Sequence, residues 1–336
     1  MQSYKEFLDL SVGFPQEGFE VHDDELYFHE LNLMEMIETY GSPLRFTYLP
    51  IVSKKIQQAK LWFQRAIVNN NYRGSYTYCY CTKSSHFRHI LDEVLKNDVH
   101  LETSSAFDMP IIDHLEKKGI LNKDITVICN GYKKDHYKQY IVDMLHDGFE
   151  NIIPVLDNKE EFYFYDDELD VTCNLGIRIA SEEQPDSQFY TSRLGIRMED
   201  VIDFYHQRIE SHLNFKVKLL HFFINSGISD TPYYWNELEK YVTLYCKFKK
   251  VNPDLSILDI GGGMPFKNSL TFEFDYEYMV NEIVKRIKDI CAEHQVMEPD
   301  ILTEFGKYTV SDASGILYKV LGRKQQNDRE KWLMVD

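Results

Sequence analysis

The chain has little with which to hold a polyanion. Its 336 residues carry 54 acidic against 37 basic side chains, a formal net charge of −17, with no long basic run. That balance argues against nucleic acid and against an anionic membrane surface as partners, while leaving room for a cationic substrate. No apolar run is long enough to span a bilayer and no signal peptide is evident, so the expectation is a soluble, cytoplasmic protein. The six cysteines (Cys79, Cys81, Cys129, Cys173, Cys246, Cys291) form no CxxC pair and no zinc spacing, which leaves reduced, buried thiols. Cys79 and Cys81 share one strand face, where core packing is the simpler reading than metal binding. There is no HExxH, no metal-ligand pair of histidines and no Ser–His–Asp order, so hydrolase and metal chemistries lack support and no metal is expected. His86 and His89, three apart, read as surface residues.

What the chain does have is alternation. From Tyr76 onward, short runs rich in β-branched and aromatic residues alternate with segments at helical spacing. The runs are Tyr76–Lys83, His100–Ser104, Ile125–Asn130, Ile152–Asp157, Leu175–Ala180, Val217–Ile224, Ser256–Ile260 and Ile301–Phe305. Helices are expected between them, among them Asp135–Leu145 with Gly148 as its C-cap, Glu199–Ser211, Tyr234–Phe248 and Tyr276–Ala292. Such alternation implies a parallel sheet, and eight units in about 230 residues suit an α/β fold of the closed (β/α)8 type. A doubly wound sheet is the architectural alternative. Upstream lie a short helical pattern near Leu31–Tyr40, the break Gly41-Ser42-Pro43, a strand at Leu44–Leu49 and a helix over Ser53–Asn71. Downstream, Gly315–Leu321 and Lys331–Val335 read as strands. The expected organisation is therefore an N-terminal segment (1–50) contributing to a β-rich second domain, a barrel (51–310), and the start of a C-terminal β-domain (311–336). The chain stops at Asp336 inside an apolar strand, as a truncation would leave it.

A barrel gathers function at the carboxyl ends of its strands. Here those positions hold Lys83, Glu102 with Ser105, Asn130, Asp157, Arg178, Asn225 with Ser226, Gly261–Gly263, and Glu304 with Lys307. A lysine leaving a buried strand can be partly desolvated, which lowers its pKa and makes its amine a nucleophile towards carbonyls; its plainer role is to turn the chain outward, and Ser84 and Ser85 after it can cap a helix. Three consecutive glycines let backbone N–H groups approach an anion, as a phosphate site requires, or simply make a tight turn. Ser226 could add a hydroxyl and Lys307 a positive charge. Glu304 suits a protonated ring nitrogen or a structural salt bridge. A lysine amine, a phosphate cradle and a carboxylate on one rim suggest pyridoxal 5′-phosphate.

At this point the residues resemble a known family, the barrel-type pyridoxal-phosphate amino-acid decarboxylases, which include the ornithine, diaminopimelate and biosynthetic arginine decarboxylases. The likeness runs from about Tyr27 to the end. Gly41-Ser42-Pro43-Leu44 resembles the family's entry motif, and Lys83 falls where the family keeps its Schiff-base lysine. Glu102-Thr103-Ser104-Ser105 resembles an acidic-x-small-Ser segment in which Asp is usual. Asn130-Gly131-Tyr132-Lys133 fits an Asn-Gly-x-Lys pattern, Arg178 fits the barrel arginine, and Ser192-Arg193-Leu194-Gly195 resembles Ser-Lys-Phe-Gly. LDIGGGMPF matches the phosphate-binding glycine motif, and Glu304-Phe305-Gly306-Lys307 resembles Glu-Pro-Gly-Arg. The wording CNGYKKDHYKQYI, IIPVLDNKEE and QQNDREKW is most similar to bacterial arginine decarboxylases.

The resemblance implies a carboxy-lyase, most simply one converting arginine to agmatine in polyamine (spermidine) synthesis, acting as a homodimer or higher homo-oligomer. Lys83 and Glu304 would be catalytic. Lys83, Glu102, Ser105, Arg178, Phe223, Ser226, Gly261, Gly262, Gly263, Glu304 and Lys307 would contact the cofactor. Two departures stand out. Phe223 aligns with the family's cofactor-stacking histidine, and Lys307 puts a point charge where the family has an arginine fork. The family's C-terminal part, with its cysteine, acidic residue and tyrosine, has no counterpart here. Ornithine, diaminopimelate or carboxynorspermidine are alternative substrates. A non-catalytic paralogue binding partners is the rival class. A methyltransferase reading of ILDIGGG is weak, since that motif normally opens the sheet and leads straight into a helix.

Overall fold

The computed structural model describes residues 18–181, 192–267, 272–327 and 329–336, which divide into two units. In the smaller, β1 (Phe19–His22), β2 (Glu25–Phe28) and β3 (Leu31–Asn32) form an antiparallel sheet that the helical pattern near Leu31 did not foretell. Asp23 and Asp24 turn between β1 and β2 at positive φ (50° and 66°), which short polar side chains tolerate. Asn32 then caps helix α1 (Leu33–Tyr40), its side chain accepting from the amides of Met34 and Glu35. β4 (Leu44–Thr47) follows.

The larger unit is the barrel. Its strands are β5 (Tyr76–Cys81), β6 (His100–Thr103), β7 (Val127–Cys129), β8 (Ile152–Leu156), β9 (Cys173–Arg178), β10 (Phe215–His221), β11 (Ile257–Asp259) and β12 (Asp300–Glu304). All are parallel and neighbour one another in chain order, and β12 closes the ring on β5, with Glu304 level with Cys79. Aromatic and β-branched residues suit such strands because both faces are covered. The helix before β5, Pro50–Asn69, buries Val52, Ile56, Ala59, Phe63 and Ala66 along one stripe. Phe63 stacks on Tyr76 with ring centroids 4.0 Å apart and planes 3° from parallel. At the centre, Cys79, Ile128, Ile153, Val155, Leu219 and Leu302 form one apolar cluster, with Ile153 a step below Val155 on the same strand, each burial contributing about 1.5–3 kcal/mol for the larger side chains. Gly176 faces this cluster without a side chain because a Cβ there would stand 2.9 Å from both Leu219 and Val155. All six cysteines are buried and free.

After the barrel, β13 (Ser314–Leu317) pairs antiparallel with β4 in the smaller unit, and β14 (Val320–Gln325) pairs with β15 (Lys331–Val335). The strand expected over Gly315–Leu321 is thus two strands, parted at Tyr318 and Lys319. The helix expected over Glu199–Ser211 is a 3₁₀ turn (Met198–Asp200), one α turn (Val201–Phe204) and a π turn (Tyr205–Ile209). The Glu210 amide reaches back five residues to the Tyr205 carbonyl, and the widened turn keeps both Tyr205 and Ile209 buried.

Candidate active site

Strand side chains alternate, so the residue two positions beyond each core residue points into the same barrel interior one layer higher. On β5 the step from Cys79 leads to Cys81, from Ile128 to Asn130, from Val155 to Asp157, from Gly176 to Arg178, from Leu219 to His221, from Ile257 to Asp259, and from Leu302 to Glu304. β6 contributes Glu102. The apolar layer is therefore roofed by a polar one at the carboxyl end of the strands, and Glu102, Asn130, Asp157, His221, Asp259 and Glu304 are all buried.

Lys83 follows β5 in a 3₁₀ turn, Thr82–Ser84. Its Nζ donates to both oxygens of Glu102, at 3.0 and 2.9 Å, with Glu102 wholly buried and the lysine side chain 54% exposed. Burial alone would pull the lysine pKa down, as the sequence suggested. Glu102, through its charge and its hydrogen bonds, together with Cys81 and Glu304 outweighs that burial, and the net shift is upward. Ser84 and Ser85 do not cap the next helix, which begins at Arg88 behind Phe87 without a side-chain cap. Asn130 bridges two carboxyls: its Nδ2 donates to Glu102 Oε1 at 3.2 Å and to Glu304 Oε1 at 2.5 Å. Behind Glu304 lie His221 and Asp259, with His221 Nδ1 3.0 Å from Asp259 Oδ2 and 3.8 Å from Glu304 Oε1. The 3.0 Å approach lacks hydrogen-bond alignment, and both atoms are left without such a bond. Burial pushes the His221 imidazole down to about 4 and the Asp259 carboxyl up to about 7. Burial, reinforced by Asp259, also drives Glu304 well above the ordinary carboxylate range.

The glycine motif lies directly beside this cluster. Gly261 and Gly263 have φ of +71° and +91°, a region that favours glycine. Gly262 is needed for a different reason: a Cβ there would stand 2.6 Å from the Glu304 carbonyl oxygen. Gly227, at φ +73°, closes against Gly263, and the Ile228 amide donates to the Gly263 carbonyl at 3.0 Å. The amides of Gly262 and Gly263 make no hydrogen bond among the described residues. Phe223 is half-buried, its ring edge 3.2 Å from where a Gly261 Cβ would lie. Ser226 is exposed, and the Lys307 ammonium lies 5.5 Å from the Phe266 ring centre.

Other motif residues play different parts. Lys133, of the Asn-Gly-x-Lys pattern, is buried and bound to Glu161 (2.9 Å), the Val155 carbonyl (2.7 Å) and the Gly131 carbonyl (3.1 Å). Gly195, in Ser-Arg-Leu-Gly, donates its amide to Asp157 Oδ1 at 3.1 Å. Burial raises the Asp157 pKa, against the pull of Arg178 and Lys133. Arg178 keeps a buried Nε without a hydrogen-bond partner among the described residues. Ser105 turns to its own loop, its Oγ accepting from the Phe107 amide at 3.2 Å. His221 and Asp259 are the residues that reading strand exits passed over. The apolar Phe222–Ile224 and Ile260 prolong the sequence pattern past the last paired residues, His221 and Asp259. The signal was there in the period of two, which runs from Leu219 to His221.

The unpaired amides of a glycine turn whose backbone packs too closely for any side chain, the orphaned polar atoms beside Glu304, and a lysine on the same rim fit a phosphate-bearing ring with an aldehyde. Comparison with known proteins agrees. The biosynthetic arginine decarboxylase 2 of Synechocystis is 24% identical over 328 residues, covering 88% of this chain and 49% of its own length. The chain spans about half the length of the curated relatives it matches. A crystal structure of diaminopimelate decarboxylase from M. jannaschi superposes with a TM-score of 0.80 at 17% identity, covering 96% of this chain and 73% of that one. The biosynthetic arginine decarboxylase of Campylobacter jejuni gives 0.73 at 18%, covering 93% and 55%. Residues 54–311 match the family described as "Pyridoxal-dependent decarboxylase, pyridoxal binding domain". The chain therefore belongs to the pyridoxal-dependent decarboxylases, and its barrel is their pyridoxal-binding domain.

Proposed function

We propose that this chain contributes the cofactor-binding barrel of a decarboxylase for a basic amino acid, with arginine as substrate and agmatine as product. The observation that carries the reading is the Lys83 amine on Glu102, at the same end of the barrel as Glu304 and the glycine turn. Arginine is favoured because the curated relatives are biosynthetic arginine decarboxylases. Lysine and diaminopimelate decarboxylases among the structural neighbours keep other basic substrates in play. A net charge of −17 suits a cationic substrate in either case.

Bound here, pyridoxal phosphate would act as an electron sink for the pair released as carbon dioxide leaves. The chain's own groups divide the remaining work. Glu102 holds the Lys83 ammonium in place and can accept its proton, freeing the amine to bond carbon. The Gly262 and Gly263 amides, the Ser226 hydroxyl and the Lys307 ammonium would hold the phosphate. Phe223 would shield the ring from water, though it carries no proton to give. Glu304 would hold the ring nitrogen. Arg178 offsets Asp157, and Ser105 shapes the loop behind Glu102. We further propose a homodimer in the cytoplasm, in which the partner completes the site.

Adding pyridoxal phosphate, reducing with borohydride and mapping peptides tests this. The expected result is an absorbance band whose reduced adduct maps to Lys83 and is lost in Lys83→Ala. A reducible adduct retained in that variant would sink the assignment of Lys83. The substitution of Phe223 at the stacking position favours one other reading, a paralogue without activity; it predicts a folded protein that takes up no cofactor.

A further inference from the structure

The carboxyls Glu102, Asp259 and Glu304 are buried together at one end of the barrel, and the Lys83 ammonium pairs with only one of them, Glu102. Asp259 and Glu304 meet no lysine or arginine at ion-pair distance among the described residues. Their nearest basic group is His221, 1% exposed, 3.0 Å from one and 3.8 Å from the other. Asp259 Oδ1 accepts the Gly261 amide at 2.8 Å, while Oδ2 has no hydrogen bond. Glu304 Oε1 already accepts from Asn130.

The groups facing the pair from the other strands do not supply a second cation. From β5 come Cys79 and Cys81, both buried and held as neutral thiols by that burial, with Lys83 committed to Glu102. β6 brings Glu102, already paired with Lys83, β7 the neutral Asn130, and β8 Asp157, an acid that also acts on His221 and is itself faced by Arg178. Arg178 on β9 acts on His221, where its charge opposes a second positive one. One oxygen of Asp259 and one of Glu304 lie within 4.8 Å of each other, and two carboxylates this close and this dry cannot both ionise without a counter-charge. Either the imidazole is charged between them or they hold a proton of their own. The bare Nδ1 of His221, the neighbouring guanidinium and complete burial all disfavour the charged imidazole.

We propose that Asp259 and Glu304 share one proton before any cofactor arrives, that His221 stands beside them as a neutral positioning residue, and that this proton is the one Glu304 presents to the pyridine nitrogen. In that transfer the Glu304 O–H bond breaks and an N–H bond forms. The electron pair stays on Glu304, which becomes the carboxylate partner of a pyridinium. Only this last step rests on the function proposed above.

The test is infrared spectroscopy of the full chain without cofactor, carboxyl-labelled at Asp and Glu, combined with nitrogen resonances of labelled histidine. At pH 7 an ordinary carboxyl, with a pKa of about 4, is ionised. The expected result is a protonated-carboxyl band of one group per chain at pH 7, lost in both Asp259→Asn and Glu304→Gln, with a neutral His221 at pH 6. Adding pyridoxal phosphate should abolish the band in the unsubstituted chain. No band at pH 7, or a charged His221 at pH 6, overturns the proposal, and the unsubstituted protein alone decides this if a variant does not fold. Cofactor that binds where no band existed defeats the shared proton and leaves the function standing. A band that persists because no cofactor binds defeats the function and leaves the shared proton standing.

Discussion

Replacing Lys133 by methionine should cost this barrel much of its stability without touching Lys83. The Lys133 side chain has no solvent exposure, and its ammonium is shared among Glu161 at 2.9 Å and the carbonyls of Val155 and Gly131. Methionine fills the stem's volume but leaves Glu161 as a buried carboxylate. That carboxylate would keep the Tyr165 hydroxyl (3.1 Å) and the Asp157 amide (3.2 Å), neither of which carries charge. Breaking a buried pair from one side costs about 3–5 kcal/mol, against a total of roughly 5–15 kcal/mol for a typical domain. Removing both charges at once, in Lys133→Met with Glu161→Gln, should recover most of the loss, because the pair's attraction is largely offset by its own desolvation. Urea unfolding of the four proteins of this cycle gives the coupling energy directly. The borohydride-reducible adduct at Lys83 should survive in each variant that folds. A single substitution costing under about 1 kcal/mol, or a double variant no more stable than Lys133→Met, would refute the claim that this lysine braces the exits of β7 and β8.

Two further outcomes follow from the site. Asp259 and Glu304 have folded pKa values raised above those of the unfolded chain, so their protonated forms favour folding and that contribution is lost as pH rises through about 7 and beyond. His221, lowered to about 4, works the other way, but only between about 4 and its unfolded value of 6.5. Stability measured by urea should therefore fall from pH 6.5 to 8, with a shallower slope in Glu304→Gln; a flat or rising profile would contradict the assignment. Gly262→Ala must displace the Glu304 carbonyl, which a Cβ would meet at 2.6 Å, and should weaken cofactor binding by on the order of tenfold or more, or about 1.4 kcal/mol. Unchanged affinity in a titration would show that the turn does not hold the phosphate.

Much of this barrel was legible because its signals are periodic. The interval between Tyr76 and Glu304 alternates strand and helix patterns that local propensity and tertiary packing both favour. Lys83, Glu102 and Glu304 could be picked out because they close buried runs. Three things escaped. Strand ends at β10 and β11 were blurred, since Phe222–Ile224 and Ile260 remain apolar after the ladder stops, and this concealed His221 and Asp259. The sign of the Lys83 shift depends on Glu102, nineteen residues away and joined to it only by the β5–β6 pairing. Sequence shows that a lysine leaves a buried strand; it does not show what meets it there. The sheet β1–β3 was hidden by strands only two to four residues long, too short for an alternating pattern to stand out.

Gly227 and Gly263 come from loops after different strands, yet their backbones touch: a Cβ on the first would lie 2.9 Å from the Gly263 oxygen, and one on the second 2.8 Å from the Gly227 Cα. Joined also through the Ile228 amide, the two loops are mechanically a single body. Neither can swing outward without dragging or tearing from the other. Opening on this side of the barrel mouth is thus a concerted event, and the amides of both loops should exchange with solvent at a common rate set by that one separation.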